Sequence, residues 1–198
     1  MNRIKETLLN HGVIAFPTET VCGLGIAYDD VIAFEKLNKI KGKRENKPYT
    51  LMLANKEDIS KYAYIDEVSK ILIDNFMPGD ITLLLKAKED LPDYVTANSG
   101  IVGIRVSSFD LVRKIISTFE KPLLVPSLNR SNKPPYISIE EAKKEFKEEI
   151  DLYIEGNALG KKPSTIVKCY DKIGIVRSGD IKEEEIFKVI GEKIWKLQ

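Results

Sequence analysis

The chain has 198 residues, 43% of them hydrophobic, which is enough apolar material for one domain with a sizeable core. Its 31 basic residues nearly balance its 30 acidic residues, for a formal net charge of +1, and this balance argues against a protein that coats nucleic acid by bulk charge. The two cysteines and the single histidine are too few for a disulfide framework, a zinc knuckle or a zinc site of the H-E-x-x-H type.

Apolar patterns predict alternating helices and strands along the whole chain. Gly23 and Gly25 are expected to form a tight turn, and Ser107 or Ser108 is expected to cap the helix that follows. The predicted helices cover 2–11, 31–40, 68–76, 111–119, a segment after Ser138 and a segment from about Lys182, and the predicted strands cover 13–16, 49–53, 81–85, 102–106, 123–125, 152–154, 165–167 and 173–176. This alternation, without a break in composition, predicts one α/β domain over 1–198 with a mixed sheet.

The chain has neither a secretory signal nor a membrane span in its sequence pattern. Its N-terminus is polar, and no apolar run approaches the ~20 residues that cross a bilayer. We therefore expect a cytoplasmic protein that does not contact membranes.

The segment 36–47 is strongly basic in an otherwise near-neutral chain, with six Lys or Arg residues against one acidic residue, Glu45. Lys41 and Lys43 alternate, so on an extended segment their side chains point the same way. Two converging cations repel each other unless a polyanion lies between them, and a triphosphate meets this need. The alternative interpretation is a solvated basic surface.

The common phosphate-binding loops are absent from the sequence. The segment 156–162 has one residue too few between its glycines for a Walker A loop, and Tyr28 stands where a dinucleotide fingerprint needs its third glycine. A nucleotide would therefore need a different kind of site.

Three turns rich in hydroxyl groups adjoin apolar strands, at 17–20, 126–132 and 163–165. Ligands of open α/β sheets bind at the carboxyl ends of strands. Arg105 and Arg177 lie within or at the end of predicted strands, and guanidinium groups bind carboxylate or phosphate through paired N–H groups. Together these features predict a single cleft lined with small hydrogen-bond donors and guanidinium groups, although any one of the turns alone is more often an ordinary capped loop.

The segment 16–25, Phe-Pro-Thr-Glu-Thr-Val-Cys-Gly-Leu-Gly, closely resembles the (F/Y)PTETVYGLG opening of the YrdC-like family, which includes the threonylcarbamoyl-AMP synthases. Further resemblances to motifs of that family follow in the family's order, and together they cover nearly the whole chain. They lie at 41–43 with 46–48, 78–83, 102–105, 126–131, 164–167 and 176–179.

The resemblance implies a YrdC-like fold in its short, single-domain form, with a twisted mixed parallel and antiparallel sheet, flanking helices and a basic concave cleft. It also implies a reaction in which L-threonine, bicarbonate and ATP give threonylcarbamoyl-AMP and pyrophosphate. Downstream threonylcarbamoyl-transferase proteins would then pass the group to tRNA, to form threonylcarbamoyladenosine, and a weak contact of this chain with tRNA is compatible with the basic segment. Mg²⁺ would be carried with ATP, held by its phosphates and water, and the resemblance implies no metal site built from protein side chains.

The resemblance also implies roles for ten positions. Lys41 and Lys43 are the expected catalytic cations on the triphosphate. Arg105 is the expected partner of the threonine carboxylate. The other expected threonine contacts are Thr20, Met52, Ser127 and Ser164, and the other expected ATP contacts are Lys47, Asn129 and Arg177.

Several positions depart from the family pattern. Lys43 stands where the family usually has Arg, with Arg44 beside it, and Met52 stands where many members have His. Cys22 replaces Tyr, Leu128 replaces Ala, and Asn132 replaces Gly, a mild change because Asn tolerates a positive φ.

The alternative functions are of two classes. One is a YrdC-like paralogue that handles a carbamoyl-adenylate without threonine specificity, as domains of hydrogenase maturation proteins do. The other is a module that binds tRNA or rRNA without catalysis. The near-zero net charge and the scarcity of aromatic residues around 36–47 argue against the second class.

Overall fold

The computed structural model describes residues 1–42 and 48–191. Within these ranges helices and strands alternate as the apolar pattern predicts. The helices are α1 (Asn2–Leu9), α2 (Val31–Lys41), α3 (Glu67–Phe76), α4 (Asp93–Thr96), α5 (Asp110–Phe119), α6 (Ile139–Phe146) and α7 (Glu183–Ile190), with 3₁₀ turns at Lys56–Lys61 and Lys147–Glu149. The strands are β1 (Ile14–Phe16), β2 (Gly23–Ala27), β3 (Thr50–Leu53), β4 (Ile81–Lys86), β5 (Ile101–Val106), β6 (Leu123–Leu124), β7 (Leu152–Tyr153), β8 (Thr165–Lys168) and β9 (Gly174–Arg177).

The strands of the described ranges form one mixed sheet in the order β7-β1-β2-β6-β3-β5-β4-β8-β9. The pairs β1 with β7, β3 with β5 and β4 with β8 are parallel, and the other neighbours are antiparallel. The predicted mixed α/β architecture is therefore confirmed.

Each face of the sheet carries its own apolar cluster, because side chains alternate along a strand. Leu51 and Leu53 of β3 belong to a cluster with residues of α2, α3, α6 and α7, whereas Met52 between them belongs to a cluster with residues of α1 and α5. The sheet is therefore a middle layer between two layers of helices, and none of the described helices is long and apolar enough to cross a membrane.

The expected turn at Gly23 and Gly25 is wrong, since both residues belong to β2, which runs antiparallel to β1. A Cβ atom on Gly25 would lie 2.6 Å from the Phe16 ring, and one on Gly23 would lie 2.8 Å from a methyl group of Val125. These glycines therefore serve close packing of side chains across the sheet rather than a change of chain direction.

Two caps illustrate how the helix ends are set. Asp30 caps α2 by accepting a hydrogen bond from the Ala33 N–H. The predicted cap of α5 by Ser107 or Ser108 is wrong, because Phe109 is the N-cap residue and makes no side-chain cap. The Ser107 hydroxyl instead donates to Glu19 and accepts a hydrogen bond from the Phe109 N–H, one residue before the helix begins.

Candidate functional site

A cavity of about 640 Å³ opens at the ends of the central strands, a size typical of small-molecule sites. Its walls contain every predicted site residue that the structure describes. Those eight residues are Thr20, Lys41, Met52, Arg105, Ser127, Asn129, Ser164 and Arg177. The other two predicted residues, Lys43 and Lys47, lie outside the described ranges.

Arg105 is buried at one end of the cavity, on strand β5. Its guanidinium donates to the Gly79 carbonyl from Nε (3.3 Å), to Thr20 Oγ1 from Nη1 (3.0 Å) and to Glu19 Oε1 from Nη2 (2.7 Å). These bonds use three of the five N–H donors, and one N–H on each terminal nitrogen makes no hydrogen bond within the described residues. The group is thus held firmly while keeping donors for a ligand.

Glu19 holds Arg105 from inside the protein. Its side chain is 6% exposed, and its oxygens also accept hydrogen bonds from the Ser107 hydroxyl (2.5 Å) and the Ser108 N–H (3.2 Å). Asp80 supplies a second carboxylate, 3.7 Å from the same guanidinium nitrogen. Burial raises the pKa of Asp80, the positive charge of Arg105 opposes this rise, and the negative charge of Glu19 adds to it.

The Thr20 hydroxyl orients Arg105 as well as lining the cavity. Thr18 Oγ1 donates to the Val21 carbonyl (2.7 Å), so the 3.0 Å contact between the two threonine hydroxyls has Thr20 as its donor. Thr20 then accepts from Arg105 and keeps one lone pair. Its predicted contact with an amino-acid ligand stays a prediction.

Arg177 and Ser164 form the wall beside Arg105. The guanidinium of Arg177 donates to the Ser164 carbonyl (3.0 and 2.9 Å) and hydroxyl (3.1 Å). Its Nη1 makes no hydrogen bond within the described residues, and no described carboxylate lies within 4.0 Å of it. Burial and the positive charge of Arg105 lower the pKa of Arg177. Two guanidinium groups near each other, one without a counter-ion in the described chain, form a site suited to an anion.

Gly179 allows this wall to form. A Cβ atom on residue 179 would lie 2.5 Å from the Pro163 carbonyl oxygen and 2.5 Å from the Thr165 nitrogen. The Gly179 N–H donates to Thr165 Oγ1. The absence of a side chain therefore lets the chain after β9 pack directly against the backbone that carries Ser164.

Lys41 occupies the opposite part of the cavity, at the last residue of α2. It is 6% exposed, and its ammonium donates to the Ser127 carbonyl and to Asn129 Oδ1, both at 2.7 Å. Both of these acceptors are neutral groups.

Asn129 uses its whole hydrogen-bonding capacity within the protein. Its Oδ1 accepts from Lys41 and from the Ser127 hydroxyl, and its Nδ2 donates to the carbonyls of Arg130 and Lys133. Its predicted contact with the nucleotide stays a prediction, and the observed bonds favour a role in holding Lys41. Asn132 of the same loop has a φ of +64°, which confirms that Asn stands in for glycine at a left-handed position.

Of the residues that depart from the family pattern, some line the cavity and others pack in the core behind it. Met52 lines the cavity and lies in register with Arg105 on the neighbouring parallel strand. Leu128 is fully buried in the core cluster and is absent from the cavity lining, so its side chain does not bear on ligand choice. Cys22 is among the residues that line the cavity, although it is fully buried, and burial raises the pKa of its thiol to about 11.

Sequence reasoning missed two parts of the site. The first is Glu19. The sequence feature that could have pointed to it is a lone carboxylate in a segment otherwise made of apolar and hydroxyl side chains. The second is an apolar wall away from the hydroxyl-bearing turns, formed by Leu84, Ile166, Tyr170 and Val176.

Charges in the lining are unbalanced. Lys41, Arg105 and Arg177 are the cationic residues among the described residues that line the cavity, and none of those residues is acidic. Across 1–42 and 48–191 no group of three or more His, Cys, Asp or Glu side chains is placed to hold a metal ion.

Comparison with known proteins yields one family. The model of the Sua5/YciO/YrdC domain, which carries the description "Telomere recombination", matches residues 6–179. A threonylcarbamoyl-AMP synthase of Buchnera aphidicola is 33% identical over 183 residues, covering 90% of this chain and 95% of that protein. A threonylcarbamoyl-AMP synthase of Pyrococcus abyssi is 32% identical over 194 residues, covering 96% of this chain and 57% of that protein.

Solved structures agree with this match. The structure of P. abyssi Sua5 complexed with L-threonine superposes with a TM-score of 0.89 at 31% identity, covering 95% of this chain and 56% of that one. The chain thus spans little more than half of the P. abyssi protein. The crystal structure of Escherichia coli YciO, an uncharacterised protein, superposes with a TM-score of 0.87 at 28% identity, covering 93% of this chain and 91% of that one. The chain belongs to the Sua5/YciO/YrdC family.

Proposed function

We propose that this protein is an L-threonylcarbamoyladenylate synthase, a nucleotidyltransferase that makes threonylcarbamoyl-AMP and pyrophosphate from L-threonine, bicarbonate and ATP. The observation that carries the proposal is the convergence of all eight described candidate residues on one cavity with three cationic side chains. The names of the B. aphidicola and P. abyssi relatives, and the threonine complex of P. abyssi Sua5, support the choice of reaction.

The proposed reaction requires the site to hold two anions close together, the carbamate of threonine and ATP. Bicarbonate takes up a proton and loses water to give CO₂. The threonine amine, once deprotonated, forms a C–N bond to the CO₂ carbon as one C=O π bond gives its electron pair to oxygen, and an N–H proton leaves to solvent. An oxygen of the resulting carbamate then attacks the α-phosphorus of ATP. The bond from that phosphorus to the bridging oxygen breaks, and pyrophosphate leaves. Positioning and charge stabilisation carry this kind of displacement, and no protein nucleophile is required.

The two ends of the cavity divide this work. At one end, the remaining N–H groups of Arg105 would bind the threonine carboxylate, with the hydroxyls of Thr20 and Ser164 around the amine and side chain. Ser127, whose hydroxyl donates to Asn129 beside Lys41, would contact the amino acid from the side of Lys41. Glu19 would keep the guanidinium in place without entering the cavity. Met52 would lie against the amino acid.

At the other end, Lys41 would bind the triphosphate, with Arg177 as a further cation between the substrates and with Lys43 and Lys47 as expected ligands outside the described ranges. The apolar wall that includes Ile166 and Tyr170 offers a surface for the adenine ring. Mg²⁺ would enter as its complex with ATP, held by phosphate oxygens and water.

The product would pass to downstream threonylcarbamoyl-transferase proteins that modify tRNA. A direct contact between this chain and tRNA, if it occurs, would be weak, because the net charge is close to zero.

The decisive experiment measures pyrophosphate release from ATP with threonine and bicarbonate added singly and together, and identifies the adenylate by mass. We expect release only when both are present. A panel of other amino acids tests specificity. Threonine-independent pyrophosphate release would point to a paralogue that handles another carbamoyl-adenylate, and ATP binding without any turnover would overturn the synthase assignment.

A further inference from the structure

Arg130 connects three parts of the chain next to the cavity through hydrogen bonds, although Arg130 itself does not line the cavity. From the 127–133 loop, its Nη1 donates to the Ile40 carbonyl at the end of α2 (2.6 Å). Its Nη1 and Nη2 also bind both carboxylate oxygens of Glu149 (2.9 and 2.5 Å), and its Nε binds Glu145 (3.3 Å). The guanidinium also lies 4.5 Å from the centre of the Phe146 ring.

This junction adjoins Lys41. The carbonyl that Arg130 binds belongs to the residue before Lys41, and the Ser131 N–H donates to the Lys41 carbonyl (2.8 Å). The Lys41 ammonium in turn reaches back to the Ser127 carbonyl and to Asn129 Oδ1. The helix end and the 127–133 loop are therefore joined through the backbone on one side and through the ammonium on the other.

The charge of Arg130 is already matched. Glu149 and Glu145 raise the pKa of Arg130, and Arg130 lowers the pKa of Glu149. Glu145 is held in addition by the hydroxyl of Tyr136 (2.5 Å). A guanidinium with two carboxylate partners and a carbonyl has little attraction left for a substrate anion, so its effect on the cavity acts through geometry.

We propose that Arg130 is a positioning residue, which fixes the 127–133 loop against the end of α2 and thereby sets the place of the Lys41 ammonium for phosphate. This inference rests on the proposed function for the identity of the anion. Lys cannot replace Arg here, because a single ammonium cannot make a paired bond to Glu149 and reach the Ile40 carbonyl with the same planar geometry.

The test compares Arg130→Met and Arg130→Lys with Lys121→Met, which removes an exposed cation paired with Asp29 away from the cavity. We expect both Arg130 variants to lose about 10- to 100-fold in kcat/KM for ATP, because small displacements of a positioned group are costly. The Kd for threonine, measured by titration without ATP, is expected to change less than about twofold, and Lys121→Met is expected to match wild type in both measurements.

Two further measurements keep the inference falsifiable. Glu149→Gln weakens the same junction while keeping Arg130, and it should show a smaller loss of the same kind if Arg130→Met does not fold. Direct titration with ATP reports on phosphate binding even if the wild type makes no threonylcarbamoyl-AMP, which separates this inference from the proposed function. Lower stability with unchanged ATP binding, or equal losses for ATP and threonine, would overturn the positioning role.

Discussion

Replacing Glu19 tests the idea that a buried carboxylate organises the amino-acid end of the cavity. Glu19 and Arg105 have side chains that are 6% and 5% exposed, and their charged atoms lie 2.7 Å apart. Removing one partner of such a pair leaves an uncompensated buried charge, at a cost of about 3–5 kcal/mol. Asp80 remains 3.7 Å from the same nitrogen. We therefore expect Glu19→Ala to cost about 3 kcal/mol, the low end of that range.

A loss of this size is easy to measure. It is a large share of the roughly 5–15 kcal/mol that stabilises a typical domain, and in a chain of this length it lowers Tm by about 6–12 °C. Urea unfolding of Glu19→Ala, Glu19→Gln and the exposed-residue control Glu89→Gln gives the free energies, and the control is expected to stay within about 0.5 kcal/mol of wild type. The KM for threonine should also rise in Glu19→Gln, because the Arg105 guanidinium loses its fixed partner.

The double variant Glu19→Gln with Arg105→Met separates the ion pair from general packing. If the two residues act as a pair, the double variant is less destabilised than the sum of the single variants, by at least about 1 kcal/mol. Additive losses, or a cost below about 1 kcal/mol for Glu19→Ala, would refute the account of Arg105 as a guanidinium held by Glu19.

Three other substitutions test the proposed site. Lys41→Met should reduce adenylate formation by about 10²–10³-fold, whereas Lys39→Met on the exposed face of the same helix should not; activity above half of wild type in Lys41→Met would contradict the triphosphate role. Cys22→Ser should keep its turnover, and iodoacetamide should leave the folded protein active, because a buried thiol with a pKa of about 11 is protonated at neutral pH; complete loss of turnover in a folded Cys22→Ser protein would instead indicate thiol chemistry. Titration with threonine, serine and valine should show that threonine is preferred, though less sharply than in relatives that have His at position 52. Met52→His should sharpen the preference. Equal selectivity in the wild type and in Met52→His would mean that residue 52 does not act on the amino acid.

The residues that line the cavity could be predicted from the sequence more fully than the contacts that hold those residues in place. Arg105, Ser164 and Arg177 lie far apart in the chain, yet each adjoins the end of a predicted strand. Strand ends meet at one edge of a sheet, so their convergence was accessible to sequence reasoning.

The supporting contacts were not accessible in the same way. The link from Glu19 to Arg105 depends on β5 lying opposite the turn after β1, which follows from strand order rather than from local pattern. The two glycines of β2 look like turn residues by composition, and only the positions of Phe16 and Val125 show why the strand needs them.

The strand order also determines when the cavity is complete during synthesis. Its walls combine residues that follow β1 with Ser164 before β8 and Arg177 at the end of β9, which lies at the far edge of the sheet. A ribosome-bound chain that ends before residue 177 lacks one of the three cations, and β8, which follows Ser164, then pairs only with β4 and not with β9. Pairing of such distant segments is slow to form. Under the proposed function, chains that end before β9 would bind ATP poorly, and nucleotide binding would report that the chain has been made and folded through β9.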